Sequence, residues 1–118
     1  MAFKTVRYAG IVEVKDPGNG NAIPIPDHHH MVCALGTGGA ETRDLGAPAF
    51  FGQRCSLSLT VDGGNCTVTV TSTMNETGNN TIIFENVGEA VDMVGTVQSG
   101  VLVWRGTVAD PTSILSTV

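Results

Sequence analysis

The stretch Arg54–Ser72, RCSLSLTVDGGNCTVTVTS, decides how the chain folds. Its nineteen residues alternate apolar and hydroxyl side chains almost without a break. A period of two is the mark of a strand with one face buried and the other in water. Gly63 and Gly64 interrupt the alternation and offer the positive φ angles of a two-residue hairpin turn, with Asp62 and Asn65 beside them. A turn there sets Val61 against Cys66, Leu59 against Val68 and Leu57 against Val70. On the reverse side Thr60 meets Thr67, Ser58 meets Thr69 and Ser56 meets Thr71. A slip of one residue would turn the apolar row to water, so this register is strongly specified, each cross-strand pair contributing roughly 0.2–1 kcal/mol. The sequence predicts a β-hairpin.

Downstream, AVDMVGTVQSGVLVWRGTV predicts a second hairpin turning at Ser99-Gly100. It places Val97 opposite Leu102, Gly95 opposite Trp104 and Met93 opposite Gly106, each glycine leaving room beside a bulky partner. The segments HMVCALG, ETRDLG, NTIIFEN and TSILST read as further strands, while GTGG and MNETGNN read as loops. Apolar spacing nowhere follows a helical period for three turns. The expected fold is all-β, a small antiparallel sandwich or barrel of about eight strands.

Residues 1–27 read differently. FKTVRYAGIVEV has strand character, but DPGNGN and AIPIPD break it, and the prolines at 17, 24 and 26 favour extended backbone without a donor. The expected organisation is an extended N-terminal arm over 1–27 lying along a compact β-domain over 28–118. Deleting Met1–Asn21 would then leave the domain folded. No internal repeat is visible.

The 118 residues make one domain, with 42% hydrophobic and 14% charged residues. Net charge is −5 and the six basic residues form no stripe in the sequence, which argues against direct nucleic-acid binding. MAFKTVRYAG lacks the apolar core of a signal peptide, and no run approaches the ~18 apolar residues of a membrane span. Cys33, Cys55 and Cys66 are odd in number and lack CxxC spacing, so they are expected as packed, reduced thiols. The sequons at Asn65, Asn75 and Asn79 carry no weight without export.

No residue set assembles a reaction centre, so catalytic residues and cofactors are expected to be none. In DHHHMVC, His28 and His30 share one face of an extended segment and Cys33 follows, which makes these three a candidate zinc-type set. The alternative is polar residues at a strand entry. A Cys-His nucleophile needs partners from distant chain and an orienting third group, which adjacent histidines do not offer. GTGGAET lacks the Lys-Ser/Thr of a phosphate loop, and the runs around Asp16 and Asp62 have too few carboxylates for calcium, so all three read as turns. Trp104, Phe50 and Phe51 are expected to be buried, leaving Tyr8 as the exposed aromatic.

Three pieces, AETRDLGAPAFFGQ, TVDGGNCTVTV and VGEAVDMVGT followed by GVLVWR, resemble the small all-β capsid decoration (cement) and head accessory proteins of tailed bacteriophages. The resemblance runs from about Ala22 over most of the chain and does not cover the arm. It implies a structural virion protein, not an enzyme, made in the bacterial cytoplasm and placed on the outer surface of the capsid. It also implies a homotrimer bound to the major capsid protein, stabilising the lattice through multiple weak contacts, without nucleic acid or membrane as partner. Residues put forward for capsid or trimer contact are Tyr8, Ile11, Val12, Ile23, Ile25, Val101 and Val103. The alternative is a head-fibre or tail-associated β-module that binds a receptor or glycan, Tyr8 first. A third class, a small hydrolase or metal enzyme, would need His30.

Overall fold

The computed structural model describes residues 10–71, 79–108 and 114–117. They are all-β, without a helix, in ten strands. These are β1 (Ile11–Val14), β2 (Asn21–Ile23), β3 (His30–Gly36), β4 (Glu41–Leu45), β5 (Arg54–Val61), β6 (Cys66–Val70), β7 (Asn79–Phe84), β8 (Ala90–Gln98), β9 (Val101–Val108) and β10 (Ile114–Thr117). Two five-stranded sheets result: sheet A in the order β1-β3-β5-β8-β9 and sheet B in the order β10-β7-β6-β4-β2.

The sheets are mixed rather than antiparallel. Through β6 the chain visits sheet A and sheet B in turn, so β1, β3 and β5 lie parallel in one and β2, β4 and β6 lie parallel in the other. Parallel neighbours need a crossover. Here each crossover runs through a strand of the opposite sheet. The first six strands therefore form stacked arches, a structural repeat that no repeated sequence announces. From β7 onward every pairing is antiparallel: β7 on β6, β8 on β5, β9 on β8 and β10 on β7.

The expected hairpin over 54–72 is therefore corrected. β5 pairs with β3 and β8, and β6 pairs with β4 and β7, so the two segments belong to different sheets. Their apolar rows share one core instead of sitting side by side: Leu57, Leu59, Cys66, Val68 and Val70 are all buried in a single cluster. Neither Gly63 nor Gly64 has a positive φ. Both are glycine because the corner lies on the corner below it. A Cβ on Gly63 would stand 2.5 Å from the Thr37 carbonyl oxygen, and one on Gly64 would overlap the Gly39 carbonyl carbon. The two corners are bonded to each other: Gly63 N–H donates to Thr37 O at 2.9 Å, and buried Thr37 donates from Oγ1 to Gly64 O at 2.7 Å. Val61, assigned inward by its parity, is instead 61% exposed, because the register against β3 shifts between Leu35 and Gly36.

The second hairpin has the register read from the sequence, with Val97 opposite Leu102, Gly95 opposite Trp104 and Met93 opposite Gly106. Ser99 and Gly100 have φ of 52° and 79°, the positive pair that a two-residue turn of this twist requires. The reason for Gly95 is different from the one expected. Its missing Cβ makes room for the loop before β5, where Pro48 Cβ would be 2.8 Å away. Trp104 is fully buried and its indole N–H donates to Gly46 O at 2.8 Å, which ties β9 to the loop after β4.

The expected arm divides. Residues 1–9, Tyr8 among them, lie outside the described residues, as does most of MNETGNN. Residues 10–27 supply β1 and β2, and Val14 and Ile23 enter the core. They are part of the body because strands 11–14 and 21–23 have partners waiting in β3 and β4. Gln53 holds the end of this region in place. Fully buried, it donates from Nε2 to Pro26 O and His28 O and accepts from Ala49 N–H.

Candidate functional site

Two polar centres stand out, one inside and one on the outer face of sheet A. The inner one is built on Arg43 of β4, which strand parity turns toward the core beside Leu45. Its side chain is only 1% exposed. Nε donates to Asp16 Oδ1 at 2.7 Å, Nη1 donates to Thr42 O, and Nη2 is shared among Asp16 Oδ2, Gly36 O and Glu41 Oε1. Asp16 lies in the turn between β1 and β2, where Gly18 N–H and Gly36 N–H also donate to its carboxylate. Burial alone would raise the Asp16 carboxyl, but the Arg43 bonds and the two amides outweigh it and hold it at about 2. The hydrogen bond from Gly38 N–H, then that from Arg43, lowers Glu41. The Asp16 bond leads the effects that raise the guanidinium. A groove of about 440 Å³ beside Asp16 is lined by Glu13, Val14, Lys15, Asp16 and Ala34. With four donors on its carboxylate, Asp16 is committed to holding the first arch against the second. The turn reading of DPGNGN is correct but incomplete, since it gave no hint of Arg43.

The outer centre contains one of the three proposed metal residues. His30 Nε2 lies 2.8 Å from Ser56 Oγ, and Ser56 donates its proton to Asp92 Oδ1 at 2.7 Å. With that proton committed to Asp92, the His30–Ser56 bond is one in which the imidazole N–H donates. This order is opposite to that of a serine nucleophile, whose hydroxyl donates to the imidazole. Cys33 lies three residues from His30 on the same strand, and parity places it on the other face, fully buried. His28 precedes the strand and its backbone carbonyl is held by Gln53. The structure thus does not bring His28, His30 and Cys33 together, and among the described residues no group of three or more His, Cys, Asp or Glu is placed to hold a metal. The thiols of Cys33, Cys55 and Cys66 are free and buried, as expected. Burial pushes Cys33 up to about 11, helped by the negative charge of Asp16, and burial also raises Cys55 and Cys66.

The proposed contact residues separate by burial. Ile11 and Val101 are exposed at 47% and 51%, on β1 and β9, the two edge strands of sheet A. Val12 and Ile25 are half-buried against the core. Ile23 and Val103 are buried within the chain at 2% and 3% and offer no contact surface. Phe51 departs from its expected burial at 70% exposed, with Phe50 half-buried beside it. The chain matches no family model, no curated protein and no solved structure.

Proposed function

We propose that the chain is a structural virion protein, a capsid decoration protein that binds the outside of a tailed-phage head as a trimer and stabilises the major capsid protein lattice. The resemblance of AETRDLGAPAFFGQ, TVDGGNCTVTV and the VGEAVDMVGT…GVLVWR ending supports this reading. The structural observation that supports it is the exposed aliphatic surface on the outer strands of sheet A. Among the described residues β1 and β9 are the outermost strands of sheet A, and each presents an exposed aliphatic side chain, Ile11 on one and Val101 on the other, that another chain can pack against. The body suits such a role. Its two sheets close as a sandwich over one core, and corners stacked on glycine leave little room for the arches to slide. Cryo-electron microscopy of the virion tests the reading: the chain should appear on the head exterior at sites where capsid subunits meet. Heads that carry no copies would refute it.

A second reading, a fibre or tail module that binds a glycan, is favoured by Phe51. An aromatic ring 70% exposed on a loop tied to β8 by the Gly52–Gly95 hydrogen bond is the kind of platform on which a sugar ring stacks. Glycan binding abolished by Phe51→Ala, with folding intact, would select this reading over the first.

A further inference from the structure

Asn19 and Gly20 stand in the connection between β1 and β2, and no other asparagine of the chain precedes a glycine. That pair is chemically labile. The deprotonated backbone nitrogen of the glycine attacks the asparagine Cγ, which closes a succinimide ring and expels ammonia. Water then opens the ring to aspartate or isoaspartate. Glycine favours the attack because no side chain shields its nitrogen. Around Gly20 nothing lies within 4 Å of the place a Cβ would take, and both residues are exposed to the solvent that supplies base and water.

The fold nevertheless holds back both reacting groups through one residue of β4. Gly20 N–H donates to Thr42 O at 2.8 Å, and Thr42 N–H donates to Asn19 Oδ1 at 2.9 Å. These two bonds extend the parallel β2–β4 pairing beyond Asn21, with the Asn19 side chain standing in for a backbone carbonyl. The first bond retains the proton that must leave before attack, the same restraint that slows hydrogen exchange. Closing the ring moves Cγ onto the Gly20 nitrogen, which pulls Oδ1 away from Thr42 and breaks the second. Both are released when the first arch lifts from β4. The ion pair of Asp16 with Arg43, the neighbour of Thr42, keeps it down.

We propose that Asn19 is a spontaneous deamidation site controlled by the first arch, silent while Thr42 holds it and reactive whenever the arch opens. The two products differ in consequence. Aspartate keeps an oxygen for Thr42 N–H. Isoaspartate runs the backbone through the former side chain, adds a methylene and loses the bond. A transient opening is thereby turned into a permanent mark on the chain. The inference is independent of the virion reading, since it needs only this chain and water.

The test is peptide mapping by mass spectrometry of the full chain kept in mildly alkaline buffer, folded and in denaturing urea, with hydrogen exchange of the Gly20 amide followed alongside. Deamidation at Asn19 is expected to be at least ~10-fold slower in the folded chain, because only the opened population reacts. In urea Asn19 should be modified ahead of Asn21 and Asn65, which precede alanine and cysteine. Asp16→Ala should speed the folded-state reaction severalfold, and Gly20 exchange with it. Urea below the unfolding transition should do the same to the wild-type chain, and this series decides the matter where the variant does not fold. Equal rates in folded and unfolded chain would overturn the proposal. So would a folded-state rate that stays constant while Gly20 exchange accelerates, or modification that falls first on another asparagine.

Discussion

Asp16 and Arg43 meet at 2.7 Å in the wall of the core, one from the connection between β1 and β2 and the other from β4. Their bond joins the β1–β2 turn to the strand that begins the next circuit of sheet B. Replacing Asp16 by Asn removes the countercharge from a guanidinium that is 1% exposed, leaving Glu41 as its remaining carboxylate. The expected loss is about 3 kcal/mol, measured as a lower denaturation midpoint in urea at neutral pH with an unchanged slope.

The same pair sets an acid limb to stability. Asp16 titrates at about 2 in the fold and at the ordinary 3.8 when unfolded, so the unfolded chain binds the proton first as pH falls. Its contribution, about 2 kcal/mol, is complete above the unfolded value and disappears between roughly pH 4 and pH 2. Urea midpoints measured from pH 6 to pH 2 should fall steeply in the wild type and more gently in Asp16→Asn. Parallel curves would mean that the pair is not formed.

Stacked corners make Gly64 far less replaceable than Gly39. A Cβ at Gly64 overlaps the backbone of the corner below, while one at Gly39 meets nothing within 4 Å. Gly64→Ala is expected to cost several times what Gly39→Ala costs, ~3 kcal/mol or more against less than about 1 kcal/mol. Thermal melts of the two variants decide it, and equal melts would argue for an open turn at 62–65.

Removing Met1–Asn21 would take away β1 and Asp16 together. Val14 leaves the core, β3 becomes an edge, and Arg43 loses its main partner. The truncated chain is expected to lose cooperative unfolding, seen as a broad, early calorimetric transition. A sharp transition near the wild-type temperature would restore the reading of this region as a detachable arm.

Which parts of this were legible follows from what alternation encodes. In Arg54–Val70 it marks the inward and outward faces except at Val61, yet the same pattern serves rows that sit side by side and rows that face each other across a core. Gly63-Gly64 fits a hairpin turn and a stacked corner equally well, and only the identity of the residues beneath it, Thr37 to Ala40, separates the two. The β8–β9 hairpin was legible because its turn is two residues long and both need positive φ. Arg43 carries a signal in the sequence: in ETRDL it shares parity with Leu45, which marks an inward charge in need of a partner. Parity likewise separates His30 from Cys33, three residues apart on one strand. Phe51 could not be read, since its exposure depends on a loop pinned to β8 through Gly52 and Gly95.

All of these placements depend on β5 and β6 lying in different sheets. A NOESY spectrum of the labelled chain tests that most directly. Expected are interstrand contacts between the backbones of Val32 and Ser56 and of Thr42 and Thr67, the parallel partners of the two sheets. Close backbone contacts pairing Leu59 with Val68 and Leu57 with Val70 would instead show an antiparallel ribbon turning at Gly63-Gly64, and would contradict the stacked arches.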